Sequence, residues 1–388
     1  MRTIGVVTVG RSDYGCYLPI LRRIAADPEL KLHLIVSGMH LSPEFGLTVN
    51  AIEDDGFEIG ERVEMLMSSD SSEGIAKSMG LGVMGFAQAF GRFRPDVVLV
   101  LGDRFEMHAA ALASLPFKIP VAHIHGGEAT EGAIDDALRH SLTKLSHLHF
   151  VATEEYARRV VQLGEEPWRV TICGAPALDN LQGLRPLSRE ELERKFGVSL
   201  EPAPLLVTFH PVTLEYERTE RQVGELLGAL EACGLPVVFT LPNADTGGRA
   251  ALRLIEDFVK TIPKAQMVDN LGTEGYFGMM AAAQAMVGNS SSGIIEAASF
   301  QLPVVNIGSR QRGRVRGKNV IDVGCNRAAI DAAIQKAVSP EFRAGLRGMD
   351  NLYDRGGAAE RIVNRLKEVE LDDSFLTKRF YEVGVDSE

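Results

Sequence analysis

Little in this 388-residue chain points toward disulfide, zinc or membrane chemistry. Its four cysteines, Cys16, Cys173, Cys233 and Cys325, lie far apart without a Cys-x-x-Cys pair, which speaks against a zinc site or a disulfide framework. A reducing cytoplasm suits them. No apolar run approaches the ~18 residues of a membrane span, and no charged-then-apolar leader precedes the first strand pattern. Basic excess is absent as well. With a formal net charge of -11 the surface has no broad basic face for nucleic acid, so any bound anion must be met locally. Neither His-Glu-x-x-His nor Gly-x-Ser-x-Gly occurs, and His123-x-His125 has no obvious third metal ligand close by.

What is present is a globular composition, 45% hydrophobic and 24% charged, in a chain longer than the ~250–300 residues one core spans. Two domains are expected. Strand-like runs alternate with amphipathic helical segments: 3–9, 31–36, 96–101, 120–124, 147–151 and 169–172, then 204–209, 236–241, 265–268, 285–287, 303–307 and 319–323. Alternating βα units imply parallel sheets with right-handed crossovers. The expected class is α/β, with two Rossmann-like doubly wound domains facing a central cleft. The first covers residues 1–180 and the second 181–357, with the charged, Pro-bearing stretch 184–201 as linker. Residues 358–388 form a helical segment that follows the second sheet, and periodicity alone leaves open whether it crosses back onto the first domain.

The densest chemistry lies between Gly102 and His149. Asp96 to Leu101 and Pro120 to Ile124 read as buried parallel strands, and the loops after such strands line the ligand crevice of a doubly wound sheet. Asp103, His125 and Glu128 are thereby candidates to face one cavity, with Asp135, Asp136, Arg139 and His140 following. Several carboxylates and imidazoles on consecutive loops suit proton transfer, because burial and mutual repulsion tune their proton affinities. Individually they have plainer uses: Asp135 and Asp136 would simply start a helix.

Anion seats are also visible. Gly10-Arg11-Ser12-Asp13 joins the first strand to the first helix, where backbone N–H groups and Arg11 suit a phosphate. It is neither Gly-x-Gly-x-x-Gly nor a Walker loop, and a tight turn capped by Ser12 or Asp13 reads equally well. Gly288-Asn289-Ser290-Ser291-Ser292-Gly293 offers hydroxyls before a helix starting near Ile294, with Glu296 in its first turn to meet ribose hydroxyls or serve the helix dipole. Ser309 to Lys318 holds five cations in ten residues, and Arg310 stands nearest the strand end. His210 and Asn243 follow strands of the same sheet.

Taken in order, Gly-Arg-Ser-Asp-Tyr-Gly, Gly-Asp-Arg-Phe-Glu, His-Ile-His-Gly-Gly-Glu, Ile-Asp-Asp-Ala-Leu-Arg-His-Ser, Phe-His-Pro-Val-Thr, Gly-Asn-Ser-Ser-Ser-Gly-Ile-Ile-Glu and Gly-Ser-Arg-Gln-Arg-Gly-Arg resemble the hydrolysing UDP-N-acetylglucosamine 2-epimerases. The resemblance runs from Thr3 to Asn319. It implies a GT-B fold, no redox cofactor, a UDP-sugar substrate and a homodimer or homotetramer; Mg2+ would at most ride on the diphosphate. It implies elimination of UDP across C1 and C2 to a glycal, followed by hydration to a free manno-configured sugar. Arg11, Arg104, His210, Asn243, Ser290, Ser291, Glu296 and Arg310 would contact UDP. Asp103 and Asp135 would be catalytic carboxylates, with His125, Glu128 and Arg139 completing the set.

One position departs from part of the family. Some sialic-acid-type members carry His-Ile-Glu-Gly-Gly-Glu, and this chain has His125 where the first Glu stands. An imidazole still moves a proton near neutrality but lacks the fixed negative charge. This form, with its longer loop from Glu128 to Asp135, is similar to the branch acting on UDP-N,N'-diacetylbacillosamine, which feeds legionaminic acid synthesis. Competing expectations are a hydrolysing enzyme for UDP-N-acetylglucosamine, a non-hydrolysing epimerase, a GT-B glycosyltransferase and a non-catalytic UDP-sugar sensor.

Overall fold

The structure, a computed structural model, describes residues 1–69, 71–183, 185–240 and 248–384. They form two compact units. The first holds Met1–Glu128, Asp135–Asn180 and Tyr353–Glu388; the second holds Ala129–Ile134 and Leu181–Leu352.

In the first unit seven parallel strands, β1 (Arg2–Thr8), β2 (Leu30–Ser37), β3 (Ile59–Val63), β4 (Val97–Leu101), β5 (Val121–Ile124), β6 (Leu148–Val151) and β7 (Val170–Ile172), lie in the order β3-β2-β1-β4-β5-β6-β7. The strand order reverses between β1 and β4, where a doubly wound sheet opens its ligand crevice. Strand β4 is apolar along its length and β5 is apolar but for the buried His123, because helices cover both faces of a parallel sheet. Val97, Val98, Leu99 and Val100 are wholly buried, and each such side chain contributes roughly 1.5–3 kcal/mol. The strand ends that carry the loops are therefore rigid.

In the second unit six parallel strands, β8 (Leu205–Thr208), β9 (Val237–Thr240), β10 (Ala265–Val268), β11 (Ala285–Gly288), β12 (Val304–Ile307) and β13 (Val320–Val323), lie in the order β10-β9-β8-β11-β12-β13. The chain is thus α/β with two doubly wound parallel sheets. No described helix is long and apolar enough to cross a membrane.

Three sequence expectations change. Strand β3 was not expected, because Ile59-Gly60-Glu61-Arg62-Val63 sits at the sheet edge and mixes charge into its apolar pattern. The stretch taken as linker carries a helix, Arg189–Phe196. Ser188 and Glu191 cap its start reciprocally, Gly197 ends it in the left-handed region, and Leu192 is buried beneath it. The C-terminal return begins at Tyr353 and not at 358. Ala175 N–H donates to the Tyr353 carbonyl at 2.9 Å, and the buried Tyr353 hydroxyl meets that of Tyr156 at 2.6 Å.

Further along the return, Lys378 enters a buried ionic group. Its Nζ lies 2.7 Å from Glu165 Oε2, which also meets His149 Nε2 at 2.9 Å, while Lys144 Nζ lies 2.6 Å from Glu165 Oε1. Burial pushes the Glu165 carboxyl up, but these three partners outweigh it and hold it at about 2.

Candidate active site

A first cluster of candidate residues, in the first unit, grows from the ends of β4 and β5. After Leu101, Gly102 turns the chain with φ +78, and the buried His123 ring secures that turn by donating from Nε2 to the Gly102 carbonyl at 2.7 Å. Burial holds the His123 imidazole down at about 3, so it is neutral and structural. Asp103 then reaches Arg139, whose Nη2 donates to Asp103 Oδ2. Arg139 Nη1 donates to the His125 carbonyl at 3.0 Å and lies 3.7 Å from Glu128 Oε2. One wholly buried guanidinium thus orders two carboxylates.

His125 completes this group. It sits at φ +64, a left-handed conformation that costs a non-glycine residue about 1–3 kcal/mol and recurs where function demands it. Its Nδ1 lies 2.6 Å from Glu128 Oε1. With Glu128 ionised, Nδ1–H donates, so the neutral ring keeps its basic lone pair on Nε2. A carboxylate that fixes an imidazole tautomer prepares the ring for proton transfer. Glu128 is common to both forms of the motif, so this chain keeps one of the two carboxylates and pairs it with an imidazole at position 125.

The remaining candidates of this unit are spread more widely. Asp135 and Asp136 do open a helix, Asp135–Leu145, and Asp135 lies four residues before Arg139 on the same face. Asp136 faces His140 Nε2 at 3.5 Å. Arg11 begins the helix Arg11–Ala26, whose N-cap is Gly10 without any side-chain cap. Neither Ser12 nor Asp13 caps it: Asp13 reaches back, accepting from Thr8 Oγ1 at 2.7 Å and Val9 N–H at 2.9 Å. Burial pushes its carboxyl up to about 6 despite these bonds. Arg104 is gripped by the buried Glu106 through Nε and Nη2, both at 3.1 Å. Glu106 went unremarked as a partner in the sequence, although an Arg-x-Glu triplet at a strand end was its signal.

A second cluster, in the second unit, occupies the ends of β8, β11 and β12. Only glycine fits at 288: its φ is +138, and a Cβ there would stand 2.0 Å from the Thr208 carbonyl oxygen. Asn289, Ser290 and Ser291 follow, with Ser290 Oγ accepting from Ser292 N–H at 3.3 Å. The helix here is a single turn, Ser292–Ile295, and Glu296 is its C-cap residue, not part of its first turn as expected. Glu296 is at the same time the N-cap residue of the following 3-10 turn, Ala297–Phe300, without a side-chain cap bond. Arg310 Nη1 donates to the Asn289 carbonyl at 3.1 Å, and His210 is buried beside it with its main chain bonded to Asn289. Asn243 lies outside the described residues.

Tyr276, which carried no motif, also belongs to this group. Burial pushes its hydroxyl up to about 12, with the Glu296 charge adding to the effect, while hydrogen bonds with Ser292, Thr208 and Ser290 oppose it.

A family model described as UDP-N-acetylglucosamine 2-epimerase matches residues 22–367. The chain is 39% identical over 385 residues to the GDP/UDP-N,N'-diacetylbacillosamine 2-epimerase (hydrolyzing) of Campylobacter jejuni, covering 98% of this chain and 99% of the relative. It is 37% identical over 379 residues to the UDP-N,N'-diacetylbacillosamine 2-epimerase (hydrolyzing) of Legionella pneumophila, covering 97% and 99%. In fold it is similar to the crystal structure of UDP-GlcNAc 2-epimerase from Neisseria meningitidis bound to UDP-GlcNAc. There the TM-score is 0.79 at 18% identity, over 94% of this chain and 99% of that one. With its two doubly wound sheets and with relatives matched over nearly their whole length, the chain belongs to the UDP-N-acetylglucosamine 2-epimerase family.

Proposed function

We propose that this protein is a hydrolysing UDP-sugar 2-epimerase acting on UDP-N,N'-diacetylbacillosamine, releasing 2,4-diacetamido-2,4,6-trideoxymannose and UDP. The observation that carries the reading is the Asp103–Arg139–Glu128–His125 group at the ends of β4 and β5. It supplies what a glycal route demands: a base for a carbon-bound proton and an acid that returns one.

In this reaction a base removes the C2 hydrogen, the C1–O bond breaks, and UDP departs with the bonding electron pair, leaving a C1–C2 double bond. Water then adds hydroxyl to C1, and a proton returns to C2 from the opposite face. The sum is UDP-sugar plus water giving free sugar plus UDP, with no redox cofactor. Asp103 and His125 Nε2 carry the protons, Glu128 holds the His125 tautomer, Arg139 fixes the carboxylates, and Asp135 assists from the start of its helix. Arg11, Arg104, His210, Asn243, Ser290, Ser291, Glu296 and Arg310 receive UDP, Glu296 at the ribose. These donors grip the diphosphate both before and after the C1–O bond breaks, so their loss is expected mainly in affinity.

The favoured substrate rests on the His125 to Glu128 pattern and on the two hydrolysing relatives. We place the enzyme in the cytoplasm, supplying legionaminic acid synthesis, and as a homodimer or homotetramer. Exposed Leu81 and Met84 on the helix Ser72–Arg92 offer an apolar face for self-association.

The test is incubation in D2O with UDP-N-acetylglucosamine and with UDP-N,N'-diacetylbacillosamine. Free sugar bearing deuterium at C2, together with UDP and with preference for the diacetamido donor, is expected. Accumulation of an epimerised UDP-sugar would assign a non-hydrolysing enzyme instead, and turnover strictly dependent on an acceptor would assign a glycosyltransferase.

Arg310→Ala provides a separate check on the nucleotide seat. Losing a charge-assisted contact to a phosphate is expected to weaken UDP binding about tenfold, with a much smaller change in kcat. Isothermal titration with UDP measures it; unchanged affinity removes Arg310 from the seat.

A further inference from the structure

We propose that Asn289 is the positioning residue of the nucleotide seat, holding His210 and Arg310 in register with Ser290 and Ser291. This rests on the reading of that seat as a UDP site. Asn289 is wholly buried directly after β11. Its side-chain Oδ1 accepts from His210 N–H at 2.7 Å, and its Nδ2 donates to the His210 carbonyl, also at 2.7 Å. These bonds imitate two rungs of a sheet ladder just beyond the last pairing of β8 with β11, Thr208 with Gly288. The side chain thereby prolongs the sheet by one step where the strands themselves have stopped.

Its main chain extends the same function. Asn289 N–H donates to the Thr208 carbonyl at 3.1 Å. The Asn289 carbonyl receives both Arg310 Nη1 at 3.1 Å and Gln311 Nε2 at 2.8 Å. One residue therefore ties together the ends of β8, β11 and β12, and its sequence neighbours are the two serines assigned to the phosphates. Only an amide of this length satisfies both main-chain groups of His210. Aspartate lacks the donor, glutamine is one methylene longer, and an apolar residue leaves a buried N–H and C=O without partners.

The chemistry assigned to the first unit uses none of these groups, so loss of Asn289 should appear in nucleotide affinity and not in the chemical step. Asn289→Ala is expected to raise the UDP dissociation constant and KM by about tenfold or more, and near-isosteric Asn289→Asp by about three- to tenfold, with kcat within about threefold of wild type for both. Isothermal titration with UDP and steady-state kinetics on the UDP-sugar measure this, and circular dichroism without ligand confirms folding. If Asn289→Ala does not fold, Asn289→Asp carries the test. Folded variants that bind UDP within about twofold of wild type, or that lose kcat at unchanged KM, overturn the proposal. Wild-type protein that fails to bind UDP would instead overturn the nucleotide reading itself.

Discussion

Replacing Asp103 by asparagine is expected to cut sugar release about a thousandfold while leaving UDP affinity within about threefold of wild type, in line with the ~10²–10⁴ that a positioned acid or base contributes. Asparagine preserves size but neither accepts nor returns a proton. It also removes the charge of the ion pair with the buried Arg139, leaving Glu128 as the carboxylate nearest that guanidinium. The UDP donors of the second unit contain no atom of this network, so binding and chemistry should separate. Turnover measured as UDP release and affinity measured by titration decide the matter. Near-normal kcat in Asp103→Asn would withdraw the role given to that residue.

The second large effect concerns acid. Burial holds the imidazoles of His40, His123 and His147 down at about 4, 3 and 4, and His149 is also lowered. All four lie in the first unit. The unfolded chain takes up these protons near pH 6.5 and the folded one only below about 4, so stability is fully present above pH 6.5 and drains away as the pH falls. At pH 5 each of the three best-defined rings costs about 2 kcal/mol. Asp13 acts in the opposite sense, because its raised carboxyl favours the folded state as the pH drops below 6, returning about 1 kcal/mol at pH 5. Glu165 contributes its own loss only below pH 4.5. The net loss of about 5 kcal/mol approaches the whole stability of many domains. Calorimetry between pH 7.5 and pH 5 should therefore show the first unit's transition falling by more than about 10 °C. A transition that stays level over this range would mean that these rings do not remain neutral in the fold.

Much of this architecture can be read from apolar runs alone. Every strand expected from such a run is present, because a strand covered on both faces is mostly apolar, as in Val97-Val98-Leu99-Val100-Leu101, with only single bonded polar groups such as His123 and His149 admitted. What escaped were elements stabilised by other means. Strand β3 lies at an edge, where charge is tolerated, and the helix Arg189–Phe196 is set by its caps more than by an apolar face. The site divides along the same line. Asp103, His125 and Glu128 were visible because loops after buried strands are where a doubly wound sheet keeps its chemistry. Pairings across chain separation were not: spacing cannot show that Arg139 takes Asp103 or that the Asn289 amide grips the His210 main chain. Tyr276 was hidden because an aromatic residue at helical spacing reads as core.

The division of the chain also bears on the order in which it folds. The second unit is inserted into the first, whose closing residues begin only at Tyr353. During synthesis the seven-stranded sheet is complete in sequence by Ile172, yet the helix Ala358–Glu368, which buries Ile362, Val363 and Leu366 in that unit's core, does not exist until the whole second unit has been made. The nascent first unit must therefore wait with apolar surface uncovered while the second, drawn mostly from the single stretch Leu181–Leu352, is free to fold. Refolding in vitro should reverse this constraint, since all segments are then present at once, so the two routes to the native protein are expected to differ in which unit leads.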